Sequence, residues 1–418
     1  MHGKKIAALA LAGTMAFMLS ACGQSGIEYG GGDGDFETES VLSESESAAS
    51  SVESGTETET DSDTESAESA PVTMEGKKVG IALPSKEQTR WLKDAAALTE
   101  RFKAKGAETE VQFAENDAAS QVSQIRAMIA AKVDLLVITP VDSSALSDVL
   151  AEAKAAGIPV IDYDRLIENT SDIGCFVTFD NYKIGEMQAE YVIDQLGIDK
   201  SSDDTFHIEF FSGDENDRNS FYLFRGAYDE FIDAIYSKKV IVSSGKTTLT
   251  ATDTEDWSEA AAEKRMETIL KTYYSDGTKL DAVICADDTI ALGVMKALDA
   301  DYDGDVIVTG QDADDANLAK IVDGKQAMTV FKAFGNEAAA AAEAGSWLVS
   351  GKTPDKSLVD GAGWSFDCAY DDETYNNGTM TVPSLILTPV SITAKNIQKE
   401  LVDTGYYTME GDYPVSVN

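Results

Sequence analysis

Histidine is nearly absent: two occur in 418 residues, at positions 2 and 207. A Ser-His-Asp triad or a His-rich metal site would have to be built around His207 alone. Cations are scarce as well. Thirty-three Lys and Arg against 74 Asp and Glu leave a net charge of −41. Such a surface cannot neutralise phosphates, which excludes nucleic acid as a partner, and it cannot dock by charge on anionic lipid. Of four cysteines, Cys22 stands apart near the start, so Cys175, Cys285 and Cys368 allow at most one pair. Cys175 and Cys285 lie in apolar, strand-like runs, where a thiol acts as a small core hydrophobe. Beyond residue 19 no run is apolar enough to cross a membrane. What is present, 43% apolar residues over this length, supports sizeable cores in two or three domains of about 150 residues.

The chain opens with Lys4 and Lys5, then an apolar run over 6–19 that is short for a permanent span. Leu19-Ser20-Ala21-Cys22 follows and resembles the bacterial lipoprotein lipobox, whose cysteine is diacylated and becomes the mature N-terminus. The expectation is a lipoprotein signal peptide and lipobox over 1–22, with Cys22 as lipid anchor on the outer face of the cytoplasmic membrane. Residues 23–76 are rich in Ser, Thr, Glu, Asp and Gly, with 15 acids from Glu28 to Glu75 and no Lys or Arg. They cannot bury enough apolar surface to offset chain entropy, so a disordered acidic tether is expected, reaching roughly 40 Å. Setting those 15 acids aside brings −41 to −26, and losing Lys4 and Lys5 with the leader makes the folded part −28. An acidic globule of this kind suits a neutral ligand better than an anion.

From Lys77 onward, short apolar runs alternate with amphipathic stretches. Runs at 79–83, 110–113, 135–138 and 159–162 form one series, and those at 176–179, 207–211, 240–242, 282–285 and 306–309 a second. This alternation predicts parallel sheets covered on both faces, in two doubly wound Rossmann-like α/β lobes. The runs end repeatedly in charged or amide clusters, such as Asp164-Arg165, Asp180-Asn181, Asp287-Asp288 and Gln311-Asp312. Ligands of doubly wound sheets sit outside the carboxyl ends of the strands. Any single cluster could be a turn or a helix cap, but their recurrence in both halves points to two polar rims facing across a cleft.

These segments resemble the type I periplasmic sugar-binding proteins of ABC transporters, in the xylose-binding and multiple-monosaccharide-binding branch. The resemblance runs from about Lys77 to Tyr413. It is carried by Arg90-Trp91, Tyr163-Asp164-Arg165-Leu166, Thr178-Phe179-Asp180-Asn181, Gly310-Gln311-Asp312-Ala313-Asp314, Thr329-Val330-Phe331-Lys332 and Leu387-Thr388-Pro389-Val390. It implies three crossings between lobes, near Asn181, near 330–332 and within 383–389. Lobe one would be 77–181 plus 332–385, and lobe two 182–331 plus 386–413.

A sugar presents hydroxyls round its edge and C–H faces above and below, so its receptor needs charged or amide groups and aromatic plates. By resemblance, Arg90, Asp164, Arg165, Asn219, Asp312 and Lys332 would bind hydroxyls or the ring oxygen, and Trp91 and Trp257 would cover the faces. Asp287 stands where the xylose-binding relatives place Asn, and an anion there would need a hydroxyl donor or a cation beside it. Asp217 fits either ligand contact or a helix cap. The implied function is capture of a neutral monosaccharide such as xylose, arabinose, glucose or galactose, and delivery to an ABC permease, without a cofactor. Presentation of the closed form to a sensor kinase, or a different small polar ligand, is the alternative. A glycosidase with paired carboxylates is disfavoured by the cations beside the acids. Asp299, Asp301, Asp303-Gly304 and Asp305 read like half of a calcium loop, but position twelve is Gly310 rather than Glu, which favours an acidic turn and no metal. Asn376-Asn377-Gly378 reads as a turn.

Overall fold

The computed structural model describes residues 73–200 and 204–417. The leader, the lipobox and all but the end of the tether therefore lie outside the described residues. The end of the tether corrects the expected boundary at 76. Met74 is fully buried in the first core, and its amide donates to the Lys105 carbonyl at 2.8 Å. One large apolar side chain among polar neighbours is enough to recruit this stretch into the fold.

The chain enters through β1 (Lys78–Leu83), α1 (Thr89–Ala104), β2 (Glu108–Phe113), α2 (Ala118–Ala130), β3 (Leu135–Ile138), α3 (Ser147–Ala155), β4 (Val160–Tyr163) and β5 (Cys175–Phe179). The strands pair in parallel in the order β2-β1-β3-β4-β5. β3, β4 and β5 are buried throughout, which is why they read as unbroken apolar runs instead of alternating ones.

A second parallel sheet follows, built from α4 (Asn181–Leu196), β6 (Phe206–Phe211), α5 (Arg218–Tyr236), β7 (Val240–Val242), α6 (Leu249–Thr252), α7 (Glu259–Ile269), β8 (Ala282–Cys285), α8 (Asp288–Asp301), β9 (Ile307–Val308) and α9 (Asp315–Val322). Its order is β7-β6-β8-β9, and β10 (Thr329–Phe331) lies beside it through a parallel bridge from Val330 to Gln311. α10 (Phe334–Val349), α11 (Lys356–Gly361), β11 (Cys368–Asp371) and β12 (Ser384–Leu387) return to the first sheet, β12 parallel to β5 and β11 antiparallel at the edge. β12 runs to Leu387, so the boundary expected after residue 385 falls inside a strand. β13 (Val390–Ile392) then pairs with β10, and the hairpin β14 (Tyr407–Glu410) and β15 (Tyr413–Ser416) ends the described chain. Two doubly wound α/β lobes result.

Helices α4 and α5 cross at a contact that only glycine permits. A Cβ on Gly226 would lie 2.0 Å from the Tyr182 carbonyl oxygen, and one on Gly185 would lie 2.1 Å from that of Leu223. This approach brings the first turns of both helices together, and the Asn181 amide donates to Asn219 Oδ1 at 3.0 Å.

Cys175, Cys285 and Cys368 are all free thiols. Asp301 faces Lys271 at 3.4 Å and Asp299 faces Lys325 at 3.5 Å. Among the described residues no acidic group, that of Asp303 and Asp305 included, is arranged to hold a metal. Asn376 bridges Thr381 across the turn, and the buried Asn377 amide donates to the carbonyls of Ile167 and Thr170. His207, at the start of β6, meets the Ser243 hydroxyl at 2.8 Å.

Candidate functional site

A cavity of about 330 Å³, part of it open to solvent, lies between the two sheets at the carboxyl ends of their strands. All nine side chains expected to form a site line it: Arg90, Trp91, Asp164, Arg165, Asn219, Trp257, Asp287, Asp312 and Lys332. All but Trp257, which lies in the short turn between α6 and α7, sit where a strand gives way to a loop or a first helical turn. Arg90 and Trp91 open α1 after β1. Asp164 and Arg165 follow β4 directly, Lys332 follows β10, and Asp287 caps α8 after β8. Asp164 and Asp312 hold left-handed backbone conformations, at φ 64° and 96°. For residues with a side chain these are unfavourable, and such strain persists where the surroundings over-determine it.

Arg90 is the centre of the charge network. Its Nε donates to Asp94 at 2.6 Å, Nη2 to Asp164 at 3.0 Å and to Glu337 at 2.6 Å, and Nη1 to Asp312 at 3.0 Å. Lys332 Nζ donates to Asp164 at 2.9 Å and lies 3.7 Å from Asp312. Tyr163 donates to the other oxygen of Asp94 at 2.7 Å. Asp164 and Asp312 come from opposite lobes, so one guanidinium ties the two rims together.

Four carboxyls face two cations here, and burial raises some of them while the cations hold another down. Burial works against the Asp164 charge, but Lys332, Arg90 and Arg165 outweigh it and hold that carboxyl down at about 2. Burial, aided by the neighbouring Asp164, pushes Glu337 well above the ordinary carboxylate range, and Asp94 is raised by burial against the pull of Arg90. Burial and then Asp312 push Asp287 well up. Its Oδ1 accepts from the Ile290 amide, and a neutral acid can donate from its other oxygen. This supplies the hydroxyl donor that an Asp in place of Asn lacks when it is charged.

On the other wall, Arg165 Nε pairs with Asp217 at 2.7 Å, while the Asp217 carboxylate also accepts from the Asn219 amide at 2.9 Å. Asp217 is therefore both a helix cap and a wall of the cavity. Asn219 Nδ2 donates to the Asp164 carbonyl at 2.9 Å. The two tryptophans flank Arg165, whose guanidinium carbon lies 5.0 Å from the Trp91 ring centre and 5.8 Å from that of Trp257. The Trp257 ring lies flush on Gly213, where a Cβ would come within 2.2 Å of it. Three buried polar atoms of lining residues, Trp257 Nε1, Gln311 Oε1 and Asn181 Oδ1, have no hydrogen-bond partner. A ligand bearing hydroxyls would satisfy such atoms.

Sequence reasoning missed Asp94 and Glu337, which touch Arg90 from behind the cavity. Asp94 carried a usable signal, since it stands four residues after Arg90 on one helix. Glu337 stands out as the one acid among Ala338 to Ala342 in the first turn of α10, where the helix dipole favours an anion.

Comparison with known proteins decides the family. Residues 79–353 match the periplasmic binding protein domain. The chain belongs to the periplasmic binding proteins. Among relatives of this periplasmic binding protein, the multiple sugar-binding periplasmic receptor ChvE of Rhizobium radiobacter is 36% identical over 334 residues, covering 79% of this chain and 90% of its own. The D-xylose-binding periplasmic protein of Escherichia coli is 34% identical over 332 residues, covering 79% and 91%. An ABC transporter solute-binding protein from Clostridium phytofermentans, solved with bound β-D-glucose, is 39% identical with a TM-score of 0.74, covering 79% of this chain and 98% of its own.

The raised carboxyls set the pH dependence of folding. A carboxyl whose pKa is higher folded than unfolded takes up protons on folding, so stability grows as pH falls towards the ordinary carboxylate range. Asp314, at the rim of the cleft, is raised to about 6 by burial, against the pull of Lys93. Asp164, lowered to about 2, has the opposite sign and costs stability only below roughly pH 4. The melting temperature should therefore rise from pH 8 to pH 5 and fall again below about pH 4. Asp314→Asn should flatten the upper limb near pH 6. A melting temperature that falls steadily from pH 8 to pH 5 would contradict these assignments.

Proposed function

We propose that this protein captures a neutral monosaccharide between its lobes and delivers it to an ABC importer, from a lipid anchor at Cys22 on the outer face of the cytoplasmic membrane. The observation that carries the reading is the cleft itself. Hydroxyl-binding groups from both sheets, two tryptophans and three unpartnered polar atoms converge on a cavity of about 330 Å³. The excess of carboxyls over cations disfavours an anionic ligand. Alternating anions and cations suit a ring of hydroxyls, which donate to one and accept from the other. A hydrogen bond to a charged group contributes about 1.5–3 kcal/mol, and a missing hydroxyl leaves a buried group unpaired, so an array of this kind separates close sugars.

The named chemistry of the relatives supports the same class, with glucose bound in one and xylose or several sugars named for others. The lobes are 74–181 with 332–387, and 182–331 with 390–416. The crossings near 181, 331 and 388 act as the hinge. Ligand binding stabilises the closed form because only that form lets both lobes contact the sugar. The protein binds and releases its ligand unchanged, with neither cofactor nor covalent step.

Calorimetric titration of the full chain against D-glucose, D-xylose, L-arabinose and D-galactose, with amino acids and nucleosides as controls, tests the ligand class. One or more sugars should bind, and Asp312→Ala should weaken that binding at least roughly tenfold, the loss of one charged hydrogen bond. Silence from every sugar beside a response to a nucleoside or amino acid would discard the sugar.

The anchor is tested separately by expression in a bacterium that processes lipoproteins. Wild type should partition into the detergent phase and Cys22→Ser into the aqueous phase. Equal partition of both would remove the lipid.

A further inference from the structure

The turn that carries Asp312 is strained at two successive residues, with φ 96° at Asp312 and 54° at Ala313. Neither is glycine, so something must hold the turn in place. Two amide bonds contribute: Asp312 donates to the Val330 carbonyl at 2.8 Å, and Ala313 to the Thr329 hydroxyl at 3.3 Å. The third support comes from the far end of the chain. Tyr407, in the terminal hairpin and 2% exposed, donates its hydroxyl to the Ala313 carbonyl at 2.5 Å.

The same hydroxyl accepts from Lys93 Nζ at 3.3 Å, and that ammonium also lies over the Tyr407 ring, 5.2 Å from its centre. Lys93 stands three residues after Arg90 on α1, in the opposite lobe. It pairs with Asp314 at 3.6 Å and Asp315 at 3.7 Å, just outside the cavity. Arg90 thus joins the lobes inside the cleft and Lys93 joins them at its rim. The hairpin is itself firmly seated. Tyr406 packs edge-on against Phe331, the neighbour of Lys332, at 5.1 Å, and Ser416 bonds the Asp315 carboxylate through its amide and its hydroxyl, both at 3.1 Å.

We propose that Tyr407 is a positioning residue of the cleft: its hydroxyl fixes the Asp312–Ala313 turn, and its partner Lys93 ties that turn to the helix bearing Arg90 and Trp91. The terminal hairpin is then part of the binding machinery and not only a cover for α9. This deepens the monosaccharide reading above and rests on it. Because the support acts on closure and on a residue every ligand would meet, its loss weakens all bound sugars by a common factor.

The test uses the full chain as Tyr407→Phe, Lys93→Met, Lys93→Arg and the Tyr407→Phe/Lys93→Met double variant, titrated with D-glucose and D-xylose. Tyr407→Phe should weaken each bound sugar by the same factor, roughly three- to tenfold for one hydrogen bond. Lys93→Met should do likewise, Lys93→Arg should lose less, and the double variant should fall short of the product of the singles because the two groups act through one contact. Hydrogen exchange of the sugar-free chain reads the same claim with no ligand present. In Tyr407→Phe the Asp312 and Ala313 amides should exchange faster while the β8 amides match wild type. If wild type binds no sugar, the monosaccharide reading fails and exchange alone decides the positioning claim. Unchanged exchange at the turn, or faster exchange spread evenly through the core, overturns it, as does wild-type affinity in Tyr407→Phe.

Discussion

A single buried guanidinium organises this protein. Arg90 is 4% exposed and touches carboxyls from its own helix, from the end of β4, from α10 and from the opposite lobe. A buried cation is costly unless it is paired and hydrogen-bonded on every side, and each carboxyl taken into the interior carries the same requirement. The network meets both demands at once, but only when the strand ends, the first turn of α1 and the Asp312 turn occupy their places together. Ligand geometry and lobe closure are therefore consequences of one electrostatic arrangement.

The arrangement is deliberately over-supplied with acid. Two cations beside four carboxyls leave part of the set biased towards its neutral form, which turns some acceptors into donors. That mixture suits a ring of hydroxyls, which both donate and accept, better than a ligand of fixed charge. The same excess extends to the whole molecule, whose cations are outnumbered by more than two to one, and it favours uncharged solutes at the cleft.

Much of this was legible in the sequence because the fold writes its site at fixed places. Buried parallel strands are short unbroken apolar runs that end in polar residues, so Asp164, Asp287 and Asp312 stood out by position, and the resemblance to sugar-binding proteins then selected them from the other strand ends. What escaped notice depends on distant partners. Glu337 meets a residue 247 positions away, and Tyr407 braces Ala313 from 94 positions away. Locally the one looks like an acid in an alanine-rich helix and the other like an aromatic in a terminal strand. Met74 was misplaced because one buried methionine outweighs the polar composition around it. In the acidic stretch over 299–305, Asp301 and Asp299 meet lysines that lie far off in the chain or beyond the loop, which the sequence pattern alone does not show.

If Arg90 organises the cleft through its planar fork and not merely through its charge, lysine cannot replace it, because an ammonium is a compact charge with three donors that cannot span four separate carboxyls. The direct measurement is calorimetric sugar binding by Arg90→Lys, together with its thermal unfolding. The account predicts a folded, destabilised protein with no detectable sugar binding. Wild-type affinity in Arg90→Lys would contradict it.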